Sequence, residues 1–168
     1  MTPHTRPVDS AAWVVWLLAV AWTLIPVRSL LADEQLSQGQ KVYVPIYSHI
    51  YSGDKENPFL LTAILSVRNI DPGHGITLTA VDYYDSDGKL LRRYLQKPVE
   101  IGVLASIRYV VAESDRKGGS GAKFIVDWHA SSKVNPPILE GIMIGTKMQQ
   151  GISFVSRGRV IYETGIRP

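Results

Sequence analysis

The stretch that decides the fold is residues 123–129, KFIVDWH, in which the side chains of alternate positions differ in polarity. Successive side chains of a β-strand point to opposite faces of the sheet. Phe124, Val126 and Trp128 therefore share one apolar face, and the opposite face is polar apart from Ile125. Residues 61–67, LTAILSV, repeat the pattern. Each of the two segments predicts a strand that contributes one face to the floor of a core.

Outward from these two segments, the chain after residue 40 consists of short apolar or alternating runs separated by turn residues. The clearest hairpin signal is Asp87-Gly88, because both central positions of a tight hairpin turn need positive φ. No helical period of usable length occurs after residue 32. We predict strands over residues 41–51, 59–69, 76–84, 89–95, 106–112, 122–129, 139–146, 152–155 and 158–162.

This spacing of strands and turns predicts an all-β fold, an antiparallel immunoglobulin-like β-sandwich of about seven to nine strands. Pro45 cannot donate a hydrogen bond to a neighbouring strand, so the first strand is expected at a sheet edge. The domain prediction places a linker at residues 33–40, the sandwich at 41–162 and a C-terminal tail at 163–168.

An apolar run from Ala11 to Ile25 precedes the β region and predicts an N-terminal hydrophobic helix. Its length fits the core of an export signal, and residues 1–32 would then be removed as a signal peptide. The run also contains three tryptophans, which prefer membrane interfaces, and an extension to residues 11–27 reaches the lower limit of a membrane span. Cleavage and retention as an inner-membrane anchor both remain open. Either one predicts a periplasmic or otherwise extracytoplasmic domain.

The composition limits the kinds of function. The chain of 168 residues has a net charge of +3 and no run of like charges that would form a nucleic-acid site. It contains no cysteine, so an exported domain would be stabilised by its apolar core without disulfides. Nucleic acid is not an expected partner, and contact with a membrane is expected only through an uncleaved N-terminal segment.

Several segments resemble one bacterial family, the domain of unknown function 3124. The resemblance rests on residues 43–51, 65–69, 81–88, 118–122 and 134–138, and on the C-terminal residues 150–159. It covers about residues 40–162. It implies a small bacterial envelope protein, exported or anchored, and it implies no catalytic residues.

The first predicted strand carries the candidate binding site. Counted alternately, its aliphatic side chains share one face and an aromatic set shares the other: Tyr43, Tyr47, His49 and Tyr51. An exposed row of this kind would stack on sugar rings or on the side chains of a partner protein. The alternative is that a loop covers the row as a minor core. Arg157 and Arg159 form a second, cationic candidate near the C-terminus.

Signatures of catalysis and of cofactor or metal binding do not emerge. The acidic segment at residues 82–88 fails the calcium-loop pattern, residues 117–121 lack the order of a phosphate loop, and the four histidines lack metal-ligand spacing. We therefore expect no cofactor. Asp82, Asp127 and Glu140 are dispersed acids that could form a carboxylate pair only if the fold brings them together.

Together these observations predict a binding or accessory module of the bacterial envelope rather than an enzyme, with an envelope protein or a glycan as its partner. The alternatives are a hydrolase of a cell-wall polymer, with catalytic residues scattered across strands, and a packing component of a larger complex.

Overall fold

The computed structural model describes residues 36–146 and 151–163. The chain divides after Asp33, and all described residues belong to the second unit. The N-terminal apolar run, with its interpretation as a signal or an anchor, lies outside the described residues, as does most of the predicted tail. None of the described residues forms a helix that could cross a membrane.

The described part of the chain is all-β, with twelve strands and no helix. The strands are β1 Ser37–Pro45, β2 His49–Ser52, β3 Asn57–Leu60, β4 Thr62–Arg68, β5 Ile76–Tyr84, β6 Leu90–Arg93, β7 Val99–Ile101, β8 Ser106–Val111, β9 Lys123–Val134, β10 Ile138–Gly145, β11 Ile152–Arg157 and β12 Arg159–Glu163.

The strands form three antiparallel sheets. The six-stranded sheet has the order β12-β1-β9-β5-β6, and β7 also pairs with β5. The four-stranded sheet has the order β11-β10-β4-β8, and β2 pairs with β3 in a separate hairpin.

One hydrophobic core joins the two larger sheets. Phe124 and Val126 of β9 are fully buried, and Trp128 is nearly so. The same holds for the apolar face of β4, where Ala63, Leu65 and Val67 are fully buried. The faces that alternation assigned to these two strands are therefore confirmed.

The strand predicted over residues 41–51 is wrong in two respects. It begins earlier, at Ser37, and it ends at Pro45, after which the chain turns into the separate strand β2. Nor is β1 an edge strand, since it lies between β12 and β9. The N–H of Ile46 donates to the carbonyl of Ala122, just before β9. The carbonyl of Pro45 points the other way and accepts a hydrogen bond from the hydroxyl of Ser156 on β11. The nitrogen of Pro45, which has no hydrogen to donate, therefore faces away from β9. On that side the pairing of β1 with β12 ends at Tyr43, two residues before Pro45.

Other boundaries also differ from the sequence predictions. The segment predicted as one strand over 59–69 is divided at Leu61, whose N–H donates to Ser48 instead of continuing a ladder. The strand β7 has only three residues and was not predicted. The strand β9 continues to Val134 through the polar residues 131–133, which carry no apolar alternation.

The chain passes from one large sheet to the other at Gly158, between β11 and β12. A Cβ atom at this position would lie 2.8 Å from Cγ1 of Val42 and 2.9 Å from the carbonyl oxygen of Leu139. The N–H of Gly158 donates to that same carbonyl at 2.8 Å. Only glycine leaves room for the backbone to cross this close to β1 and β10.

Candidate binding surface

The outer face of the four-stranded sheet carries a row of aliphatic side chains that crosses all four strands. Val110 on β8 lies opposite Ile64 on β4, Ile64 opposite Ile142 on β10, and Ile142 opposite Val155 on β11. Val155 is 54% exposed and Val110 is 43% exposed. We call these four residues the aliphatic row. Contiguous apolar groups on the surface of a small domain are typical of contact sites.

Beside the aliphatic row lies a row of charged and polar residues. Arg108 lies opposite Ser66, Ser66 opposite Glu140, and Glu140 opposite Arg157. Two residues after Ser66, on the same face of β4, Arg68 lies opposite Ser106 of β8. Three arginines therefore share this face with a single carboxylate, which makes the face cationic.

A cleft of about 590 Å³ opens at the end of this face. Arg68 and Arg108 line it together with Ile64, Ile142 and Leu104, and no acidic residue is among its lining residues. Nε of Arg68 donates to Oγ of Ser66 at 3.2 Å, which restrains the guanidinium beside the cleft. We call this the arginine cleft. Guanidinium groups with no carboxylate among them suit an anionic group.

An unusual turn, Gly102–Ala105, forms the rim of the arginine cleft. Ala105 donates its N–H to the carbonyl of Gly102 at 3.1 Å, which closes the turn. Leu104 has φ of 54°, in the left-handed region that favours glycine. Its side chain is nevertheless 67% exposed, and that of Val103 is 45% exposed. The turn therefore presents two apolar side chains to solvent.

Asn69 holds both ends of this turn. Its N–H donates to the carbonyl of Ala105 at 2.9 Å, and its Nδ2 donates to the carbonyl of Gly102 at 2.9 Å. Oδ1 of Asn69 accepts the N–H of Asp71 at 3.0 Å. Asn69 is 2% exposed, so these bonds form in a buried setting where an unmade bond would be costly.

Asp71 organises the loop next to Asn69. Its Oδ1 accepts the N–H groups of Gly73 and His74 at 2.9 and 2.8 Å, and its Oδ2 accepts the N–H of Asn135 at 2.9 Å. Hydrogen bonds from the backbone of Asn135 and Gly73 lower the pKa of the Asp71 carboxyl to about 2, although burial opposes the shift. The ionised carboxylate thus joins the loop after β4 to the loop after β9.

A second, polar cleft of about 440 Å³ lies on the outer side of the six-stranded sheet. His129 of β9 lies opposite Thr77 of β5, and Thr77 lies opposite Glu100 of β7. His74 completes the lining, and its Nδ1 lies 3.2 Å from Oδ1 of Asp71. The two histidines thus share one cleft, although their spacing in the sequence did not suggest it.

The acidic residues considered for a catalytic pair are divided between the two large sheets. Asp82 and Asp127 lie on the outer face of the six-stranded sheet, where Asp127 forms a 3.0 Å ion pair with Lys41. Glu140 lies on the outer face of the other sheet. Over residues 36–146 and 151–163, no group of three or more His, Cys, Asp or Glu side chains is placed to hold a metal ion.

The aromatic set predicted on the first strand is divided into three parts. Tyr43 lies on the outer face of β1, opposite Ile125 and Arg159. Tyr47 packs against the core, with its ring centroid 5.6 Å from that of Phe154. His49 and Tyr51 form a pair on the β2–β3 hairpin, joined by a 3.1 Å hydrogen bond. A single row does not form because the chain leaves β1 after Pro45.

The two arginines of the predicted cationic spot also separate. Arg157 lies opposite Glu140 on the outer face of the four-stranded sheet, and Arg159 lies opposite Tyr43 on the outer face of the six-stranded sheet. The crossing at Gly158 directs them to opposite sides of the domain. Arg159 and Tyr43 are the two predicted site residues that the fold makes cross-strand neighbours.

The aliphatic row and the arginine cleft were not predicted from the sequence. A signal was present, because Ile64 interrupts the polar face of its strand between Thr62 and Ser66. An aliphatic residue on a face otherwise predicted to be solvated indicates a contact surface when neighbouring strands supply more of them. The order of the strands, which decides this, was not predictable from alternation alone.

The fold defines the class of the protein as a small all-β domain of antiparallel sheets with one shared core. The chain belongs to the family described as protein of unknown function (DUF3124), which matches residues 39–161. No curated protein matches the chain. The solved structure of Thermotoga maritima 1070 is similar over 76% of this chain and 97% of that chain, with 8% sequence identity and a TM-score of 0.45.

Proposed function

We propose that the chain is an immunoglobulin-like β-sandwich that works outside the cytoplasm as a binding or accessory module of the bacterial envelope. The N-terminal apolar segment acts as its signal peptide or as an inner-membrane anchor. The single observation that carries the binding role is the aliphatic row, which leaves Val110 and Val155 exposed on a sheet face whose charged side chains are mainly cationic.

The partner that best fits this surface is an envelope protein. A flat row of aliphatic side chains flanked by arginines is complementary to a protein face with an apolar centre and an acidic border. Glycan recognition, the other option, depends on exposed aromatic faces. It would use Tyr43 with Arg159, or the pair of His49 and Tyr51, since Tyr47 is packed against Phe154.

Site-specific photo-crosslinking in living cells tests the binding role. A photoreactive phenylalanine analogue replaces Val155 in one variant of the full chain and Ile161 in the other. These two side chains are 54% and 55% exposed on strands of different sheets, so exposure is matched. We expect a discrete protein adduct from position 155, at least fivefold stronger than from position 161. Equal labelling from the two positions would contradict a specific surface.

The cellular location of the domain is tested separately. An alkaline phosphatase fused after Pro168 becomes active only outside the cytoplasm, so colonies should show phosphatase activity. An inactive fusion with normal expression would contradict export. N-terminal sequencing of the mature chain then distinguishes the two roles of the apolar segment, because cleavage near Ala32 exposes Asp33, whereas an anchor retains Met1.

One observation favours a second candidate function, hydrolysis of a cell-wall polymer. The ionised Asp71 orients His74 at the lip of the polar cleft, as an acid orients a catalytic base. Within the described residues, however, no serine or threonine hydroxyl is hydrogen-bonded to His74. Release of soluble fragments from purified cell wall by the full chain, and its loss in His74→Ala, would support this function over a binding role.

A further inference from the structure

We infer that the Gly102–Ala105 turn is a membrane contact: Val103 and Leu104 enter the apolar region of a lipid surface while Arg68 and Arg108 bind anionic headgroup phosphates. The apolar side chains stand at the rim of the cleft that the two arginines line. This goes beyond the proposed function, because it assigns a lipid surface to the turn, whereas the protein partner is assigned to the aliphatic row, whose exposed Val110 and Val155 lie outside the cleft lining.

The conformation of Leu104 is the first support. A non-glycine residue in the left-handed region costs roughly 1 kcal/mol, and burial of the side chain would ordinarily offset this. Asn69 holds the backbone of the turn, but the Leu104 side chain is 67% exposed, so its burial within the domain does not offset this cost. Transfer of the exposed leucine into an apolar phase is a contact that would.

The rigidity of the turn is the second support. Because Asn69 bonds to Gly102 and Ala105 from a buried position, the backbone of the turn is fixed in the conformation that exposes Val103 and Leu104. A turn with a fixed backbone loses little conformational entropy when it enters a membrane.

The distribution of charge is the third support. Ser106 follows Leu104 by two residues and lies opposite Arg68. Arg108 is the next residue of β8 that points to the same face. Apolar side chains ahead of arginines reproduce the order of acyl chain and headgroup in a bilayer interface. A protein partner would need a matching pocket for the protruding turn, whereas a lipid surface adapts to it.

The test uses the absence of cysteine from the chain. Val103→Cys in the full chain takes a single polarity-sensitive nitrobenzoxadiazole label and leaves Leu104 in place. Ile161→Cys, labelled in the same way, is the control on a different sheet. The probes are vesicles of phosphatidylcholine alone and of phosphatidylcholine with about one-third phosphatidylglycerol.

On the anionic vesicles we expect a blue shift and higher emission from position 103 and no change from position 161. Leu104→Gly, made in the labelled background, should weaken the response about tenfold, because burial of the leucine is lost. Arg68→Gln and Arg108→Gln should each weaken it about fivefold. Glycine suits the left-handed turn, so urea unfolding should show that Leu104→Gly is at least as stable as the parent chain.

Any one of the following outcomes would overturn the inference. A label at position 103 that stays in water on anionic vesicles excludes the contact. Equal responses at 103 and 161, or responses that persist after both arginine substitutions, mean that another part of the chain brings the domain to the vesicle. A response to free glycerol phosphate, or to a lipid-free envelope protein fraction but not to vesicles, assigns the cleft to a soluble phosphate or to a protein partner.

Discussion

The carboxylate of Asp71 shows how one residue controls the geometry of a surface it does not reach. Asp71 is 5% exposed, and its carboxylate accepts hydrogen bonds from the loops after β4 and β9. The backbone N–H of Asp71 donates to Asn69, which holds the Gly102–Ala105 turn. In a folded chain its pKa is about 2, against 3.8 for a free side chain. The ionised form is therefore the form that the fold stabilises.

This predicts a specific dependence of stability on pH. Because the pKa of Asp71 is lower in the folded chain, its contribution is complete above pH 3.8 and is lost as the pH falls towards 2. Asp71→Asn should lower the urea midpoint at pH 7, and the difference from the parent chain should narrow between pH 5 and pH 2. Asp54→Asn, on an exposed turn, is the control and should differ little at either pH. A constant difference for Asp71→Asn would contradict the assignment.

Two aromatic pairs with the same edge-to-face geometry differ in what they contribute to stability. Tyr47 and Phe154 meet edge to face beside the core, whereas His49 and Tyr51 meet on an exposed hairpin. A double-mutant cycle of Tyr47→Ala and Phe154→Ala should give a coupling energy of about 1 kcal/mol in urea unfolding. The same cycle on His49 and Tyr51 should give less than about 0.5 kcal/mol, because solvent replaces the lost contact. Equal coupling in the two cycles would show that burial is not the deciding factor.

At the scale of elements, the crossing between β11 and β12 depends on one glycine. Gly158→Ala would place a methyl group against Val42 and the carbonyl of Leu139, and should lower the free energy of unfolding by about 1–3 kcal/mol. Gly151→Ala is the matched control, since a Cβ atom there meets nothing within 4 Å. The control should be neutral or slightly stabilising. Comparable losses in both variants would mean that the crossing tolerates a side chain.

Most strands could be predicted from alternation because each large sheet buries one face. Strands around Phe124, Leu65 and Val81 were predicted for that reason, and the structure contains them. The breaks at Pro45 and Leu61 could not be predicted, because they depend on Ser48, which accepts the N–H of Leu61 and donates its own N–H to Gly119. Local patterns carry no information about these distant partners.

At the scale of the whole molecule, the candidate surface depends on strand order rather than on any motif. The aliphatic row takes one residue from each of four strands, and those strands lie as far apart in the sequence as Ile64 and Val155. Each residue alone is an ordinary surface aliphatic. Only the order β11-β10-β4-β8 makes them neighbours. The predicted aromatic row failed to form for the converse reason, since residues close in sequence were divided among three places.

The position of β1 has a consequence for how the chain folds. Its neighbours are β9 and β12, so the first strand of the domain is flanked by the ninth and the last. During synthesis or translocation from the N-terminus, β1 has no partner until β9 has emerged, and its pairing is incomplete until Glu163 has followed. Closure over such long sequence separations is slow. A nascent chain therefore exposes the unpaired β1, with its aliphatic Val42 and Val44, until β9 has emerged, and we expect a chaperone to bind it during that interval.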